Sequence, residues 1–205
     1  MKVELENVKP MDIEKRSFEI ITEELGDMEL TPGTEPVVKR CIHTSADFDY
    51  AKNLCFSEHA VEKAIEAIKN GACIVTDTQM AKAGINKRAL ARYGGEDVAE
   101  MAKKNKTTRA TASMDKAASL DRKLIFAIGN APTALVRLYE LIQEGKINPQ
   151  LIIGVPVGFV NVVQSKELIM ETETPYIVAR GRKGGSNIAA CICNALLYMI
   201  DNKRD

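Results

Sequence analysis

The 205-residue chain has no excess of either charge, with 28 Lys and Arg residues against 28 Asp and Glu. A nucleic-acid binder concentrates basic charge, so the balance argues against that class and leaves ligand binding to the local placement of cations. Five cysteines occur, at Cys41, Cys55, Cys73, Cys191 and Cys193, and no two stand at the CxxC spacing of a zinc or redox centre. They read as small buried hydrophobes kept reduced in a cytoplasmic protein. No run of about 18 apolar residues is found, and none follows the charged start, so neither a membrane span nor a leader is expected. The GxxxxGK[ST] phosphate loop, the GxGxxG dinucleotide fingerprint and the GxSxG nucleophile elbow are all missing. With only two histidines and no carboxylates or thiols at ligand spacing around them, no metal site is expected.

What is present is an ordinary globular composition, 45% hydrophobic and 27% charged. A chain of this length reads as one domain over residues 1–205, large enough to bury roughly 70% of its unfolded surface. No repeats, low-complexity tracts or linkers divide it.

Apolar periodicity supplies the elements. Met11 to Leu25 is an amphipathic helix stopped by Gly26, and Val37, Val38, Cys41 and Ile42 form a short β-prone run. Glu58 to Asn70 is a helix closed by Gly71. Ala72 to Thr76, Leu124 to Ile128, Leu151 to Val155 and Tyr176 to Ala179 are continuous apolar strands. Helices are expected across Lys87 to Lys104, Met114 to Leu120, after Pro132, around Val160 to Met170, and at the end through Ile188, Ile192, Leu196 and Met199. Unbroken apolar strands alternating with helices predict an α/β fold, a doubly wound, mostly parallel sheet covered on both faces.

Each expected strand is followed at once by a polar or glycine-rich cluster: Arg40 to Asp47, Thr76 to Met80, Gly129 to Thr133, Gly154 to Asn161, and Arg180 to Ser186. Ligands of open α/β sheets bind beyond the carboxyl ends of the strands, so these clusters predict one composite site. His43, Thr44, Asp77, Asn130, Arg180, Lys183, Gly184 and Ser186 are its candidate residues. Arg180-Gly-Arg-Lys-Gly-Gly-Ser186 reads either as an anion cradle or as a solvated basic turn capping the last helix. Arg109, in a segment of Thr and Ser suited to N-capping, reads either as a ligand contact or as a surface charge. His59 has the setting of a surface residue, whereas His43, beside Thr44, Ser45 and Asp47, is open to a structural or a catalytic role.

The ordered set Arg40-Cys-Ile-His-Thr-Ser-Ala-Asp47, Asp77-Thr-Gln-Met80, Thr108-Arg-Ala110, Ile128-Gly-Asn-Ala-Pro-Thr-Ala-Leu135, Pro156-Val-Gly-Phe-Val-Asn161 and Arg180-Gly-Arg-Lys-Gly-Gly-Ser-Asn187 resembles the precorrin-8X methylmutase family. The resemblance runs in order along nearly the whole chain, from the helix carrying Ser17 to the terminal helix. It implies a homodimeric isomerase that moves a methyl group from C-11 to C-12 of a corrinoid macrocycle, giving hydrogenobyrinate or cobyrinate. It also implies that His43 is the acid and that Ser17 and Arg40 contact substrate.

No cofactor or protein-bound metal is needed for such a shift. Imidazole, with an ordinary pKa near 6.5, holds and releases a proton near neutrality. Arginines and backbone N–H groups at the strand ends would clamp the carboxylate arms of the substrate. A corrinoid carrier stands as the alternative, and a nucleotide-binding enzyme is disfavoured by the missing phosphate fingerprints. Whether the macrocycle carries cobalt stays open at this level.

Overall fold

A computed structural model describes residues 8–86 and 108–201. The helix expected across Lys87 to Lys104 lies outside the described residues.

Five strands form a single sheet in the order β1-β5-β4-β3-β2. They are β1 (Leu54–Phe56), β2 (Cys73–Thr76), β3 (Leu124–Ile128), β4 (Leu151–Gly154) and β5 (Tyr176–Ala179). The β2–β3, β3–β4 and β4–β5 pairs are parallel, and β1 runs antiparallel to β5 at one edge. β2, β3 and β4 are buried along their whole length, as their unbroken apolar sequences require.

Alternate strand residues feed two separate cores. Ile74, Ile125, Ala127, Ile153 and Ile177 face α1 (Ile13–Leu25), α2 (Glu35–Ser45), α4 (Ala60–Lys69) and the terminal helix, which is α9 (Ser186–Asp201). Val75, Phe126, Ile128, Ile152 and Val178 face α6 (Arg109–Ala118), α7 (Pro132–Gln143) and α8 (Val162–Met170). Two short helices complete the described elements, α3 (Tyr50–Asn53) and α5 (Gln79–Gly84). Both faces are therefore covered. Helices α6, α7 and α8 cover one face, and α1, α2, α4, α5 and α9 lie on the other.

One element differs in type from its sequence reading. The Val37–Ile42 run is not a strand but the buried face of α2, an 11-residue helix with Pro36 in its first turn. Val37, Val38, Cys41 and Ile42 are spaced as a helical stripe, one turn apart in pairs, and all four are buried. β-branched residues favour strands, but packing against α9 decides the outcome. The first strand is instead Leu54–Phe56, too short and too lightly patterned to be read from the sequence.

Candidate active site

The carboxyl ends of the parallel strands converge on the segment that leads into α9. At the end of β2, Thr78 accepts from Ala81 N at 3.1 Å, capping α5, and its hydroxyl meets Ser186 Oγ at 2.8 Å. At the end of β3, Gly129 lies so near this segment that a Cβ there would come within 2.6 Å of Ser186 Cα. At the end of β4, Val155 O accepts from Gly185 N at 2.8 Å, and Gly158 N donates to Arg182 O at 3.1 Å. Gly184, with φ +155°, approaches Val155 so closely that a Cβ would sit 2.1 Å from its carbonyl oxygen. Only glycine fits that approach.

Asp77 holds the next loop. Its Oδ1 accepts from Gly129 N at 3.0 Å, while Oδ2 accepts from Asn130 N at 2.8 Å and Ala131 N at 2.7 Å. The carboxylate thus fills the donor-rich start of α7 itself, as an anion at a helix N-terminus does. α6 starts alongside, because Thr108 caps Thr111 N at 3.1 Å and meets Thr133 Oγ1 at 3.2 Å. Arg109 is the first residue of α6.

The cations of the Arg180–Ser186 loop have partners. Arg180 makes a two-pronged bond to Glu167, both contacts 3.0 Å. Lys183 donates to Asp47 Oδ2 and Asp49 Oδ2, each at 2.6 Å, tying the loop to the chain just beyond α2. The ammonium holds the Asp47 carboxyl below the usual carboxylate range, and the two carboxylates push Lys183 up. Arg182 lies over the Phe159 ring at 5.2 Å, beside Val160, and both Phe159 and Val160 are largely exposed.

α2 runs antiparallel to α9. Successive contacts descend that helix: Arg40 lies over the Tyr198 ring at 5.2 Å, Cys41 Sγ meets Cys191 Sγ at 3.6 Å, and Asp47 meets Lys183 ahead of the helix start. Tyr198 is 12 residues on from Ser186, so the strip spans about 18 Å at 1.5 Å per residue. His43 is exposed in the last turn of α2, stacked on Phe18 of α1 with centroids 5.2 Å apart. The Arg40 guanidinium lies 4.8 Å from the same ring and is bonded to Glu14 Oε1 at 2.5 Å. Ser17, next to Phe18, donates to Ile13 O at 2.8 Å, and Thr44 donates to Arg40 O at 2.9 Å.

The expected residues therefore fall into two groups joined through Asp47 and Lys183. Ser17, Arg40, His43 and Thr44 sit on α1 and α2. Asp77, Asn130, Arg180, Lys183, Gly184 and Ser186 sit at the strand ends, near the start of α6. His43 is not at a strand end, because the segment that carries it is helical. Arg40, His43 and Thr44 share a helix face at i, i+3 and i+4 spacing, a signal that the strand reading hid. Nothing local in the sequence marks Phe18, Tyr198 and Glu14; they matter through contacts 22 to 158 residues away along the chain.

The cysteine pairing was likewise invisible. Cys41 and Cys191 meet across 150 residues, and each is buried. The hydrogen bond from Cys41, with that of Thr44 and the nearby Arg40 charge, lowers Cys191, while the contact with Cys191 and burial push the Cys41 thiol up. Two further hollows lie at the amino ends of the strands, around Lys123, Asn148, Pro149 and Pro175, opposite these clusters.

A family model described as precorrin-8X methylmutase matches residues 12–199. The cobalt-precorrin-8 methylmutase of Priestia megaterium is 45% identical over 203 residues, covering 95% of this chain and 90% of that protein. The enzyme of the same name from Leptospira interrogans is 44% identical, covering 94% of each chain. The crystal structure of a precorrin-8X methylmutase from Thermus thermophilus superposes with a TM-score of 0.85 at 40% identity, covering 93% of this chain and 98% of that one. The family model spans most of the chain and the relatives cover it almost end to end, so the chain belongs to the precorrin-8X methylmutase family of isomerases.

Proposed function

We propose that the chain converts cobalt-precorrin-8 to cobyrinate, or precorrin-8X to hydrogenobyrinate, by moving a methyl group from C-11 to C-12, with His43 as general acid. Methylmutase activity in cobalamin biosynthesis follows from the family. The finer reading rests on one observation above the rest, an exposed imidazole stacked on Phe18 beside the Arg40 guanidinium. A flat, conjugated, carboxylate-bearing ligand needs such a surface, with an aromatic support, a cation and a proton donor side by side.

In this reading His43 gives its proton to the conjugated macrocycle, which becomes electron-poor. The methyl group leaves C-11 as its bond to C-12 forms, and the proton then returns to the imidazole. Atoms and electrons balance without an oxidant, a reductant or a nucleophile. A placed general acid contributes roughly 10²- to 10⁴-fold, and holding the ring in one conformation adds to this.

Ser17, Arg40 and Thr44 would meet the substrate at the α1–α2 end. Asn130, Arg109, Arg180, Lys183, Gly184 and Ser186 would meet it along the strand ends. Asp77, with its carboxylate on three backbone amides, would contribute by shaping the Gly129–Ala131 loop. The names of the two bacterial relatives favour the cobalt-containing substrate. A homodimer and a cytoplasmic location belong to the same reading; among the described residues no helix is long and apolar enough to cross a membrane.

The test is the absorption spectrum of cobalt-precorrin-8 mixed with wild-type protein and with His43→Ala. Wild type should convert the chromophore, and the variant should bind it unchanged. A fully active variant removes His43 from the mechanism. A wild type that binds but never converts the chromophore is a carrier.

A further inference from the structure

We infer that Lys166 is a positioning residue that shapes the Arg180–Ser186 loop into a carboxylate receptor around Arg182, an inference that rests on the proposed corrinoid reading. Lys166 is fully buried within α8, an unusual place for an ammonium group. Its Nζ donates to Gly181 O at 2.7 Å and to Lys183 O at 2.9 Å, the two carbonyls that bracket Arg182. Among the described residues no carboxylate forms an ion pair with it, and the neighbouring Glu167 is turned to Arg180.

Peptide geometry makes this arrangement directional. None of the described peptide bonds is cis, so each C=O points opposite to the N–H of the same peptide. Drawing the Gly181 and Lys183 carbonyls inward onto Lys166 therefore turns the N–H groups of Arg182 and Gly184 away from it. Two outward N–H groups, two residues apart, beside a guanidinium offer donors to an anion. Positive φ values at Gly181 (+85°), Gly184 (+155°) and Gly185 (+133°) permit the turn, and Arg182 is held over Phe159 at 5.2 Å.

The electrostatics fit the same role. Burial alone pushes Lys166 down to about 8, with no nearby carboxylate to offset it. The charge left uncompensated beneath the loop attracts a carboxylate arriving above it. Arg180 and Lys183, by contrast, each already have carboxylate partners.

The experiment compares wild type, Lys166→Met, Lys166→Gln and Lys166→Arg in steady-state turnover of cobalt-precorrin-8 and in binding of cobyrinic acid, with thermal melting measured for each. Lys166→Met should raise KM, and the Kd for cobyrinic acid, at least tenfold while kcat stays within about threefold, the pattern of lost uniform binding. Lys166→Arg, which keeps donors and charge, should recover most of the affinity, and Lys166→Gln should fall between. A folded Met or Gln variant with wild-type KM and Kd overturns the inference while leaving the methylmutase reading intact. Failure of both neutral variants to fold assigns Lys166 to the core alone and also overturns it. A wild type that neither converts cobalt-precorrin-8 nor binds cobyrinic acid overturns both readings. A wild type that binds without turnover leaves the Kd comparison to decide.

Discussion

His43 and Phe18 lie ring over ring, their centroids 5.2 Å apart and their planes 18° from parallel. The same Phe18 ring carries the Arg40 guanidinium, so one side chain of α1 orients two candidate site residues of α2. Stacked aromatic pairs are worth about 0.5–1.5 kcal/mol beyond their buried area. Phe18→Ala should therefore lower kcat/KM by about 3- to 10-fold if that orientation is expressed in the transition state, whereas Phe18→Tyr should stay near wild type. Equal activity of the Ala variant at unchanged melting temperature would show that the stack does not orient the acid.

Asp77 is expected to act on stability before it acts on chemistry. Replacing it with Ala strips three backbone amides of their acceptor and removes an anion from the start of α7. Loss of such a cap with unsatisfied donors costs about 2–3 kcal/mol. Urea unfolding should record a lower midpoint with little change in slope, and Asp77→Asn should lose less.

Gly184 tests the close approach of the α9 loop to β4. An alanine there would place its Cβ 2.1 Å from Val155 O at a φ of +155°, so the loop must move. Strain of this kind costs about 1–3 kcal/mol, and the displaced loop should lose corrinoid affinity as well. Gly145→Ala, also at positive φ but with open space around its Cβ position, should show the backbone cost alone. If the two variants bind cobyrinic acid equally well, the Gly184 contact does not shape the site.

The Lys183 bridge to Asp47 and Asp49 has a defined pH dependence. Asp47 is depressed in the folded protein, so its contribution is present above the ordinary carboxylate value near 3.9 and is lost as pH falls through the folded value. Lys183 is raised, so its share persists through neutral and mildly alkaline pH and disappears only far above the usual lysine value. Melting temperatures of wild type and Lys183→Met should differ most between pH 5 and 9 and converge below about pH 3. Because these groups are exposed, the gap should also shrink in 1 M salt. A gap that survives both acid and salt would place the role of Lys183 outside this bridge.

By itself the sequence determined the buried strands β2, β3, β4 and β5, the helix opened by Pro132, the terminal helix and the glycine-rich cationic segment before it. Local rules are strong there: long apolar runs belong to buried parallel strands, and a proline suits the first turn of a helix. The ordered motifs also sufficed to indicate the family. Where local rules conflict, the sequence misleads, as at Val37–Ile42, whose β-branched residues form a helix because α9 offers their stripe a surface to bury against. Only the tertiary structure decided that Phe18 supports both His43 and Arg40, that Lys166 reaches beneath the Arg180–Ser186 loop, that Cys41 meets Cys191, and that Asp77 faces backbone amides. Each of these relationships joins residues that are distant along the chain or in different elements. The energy that fixes them comes from packing the two helix layers onto one sheet, which no local pattern records.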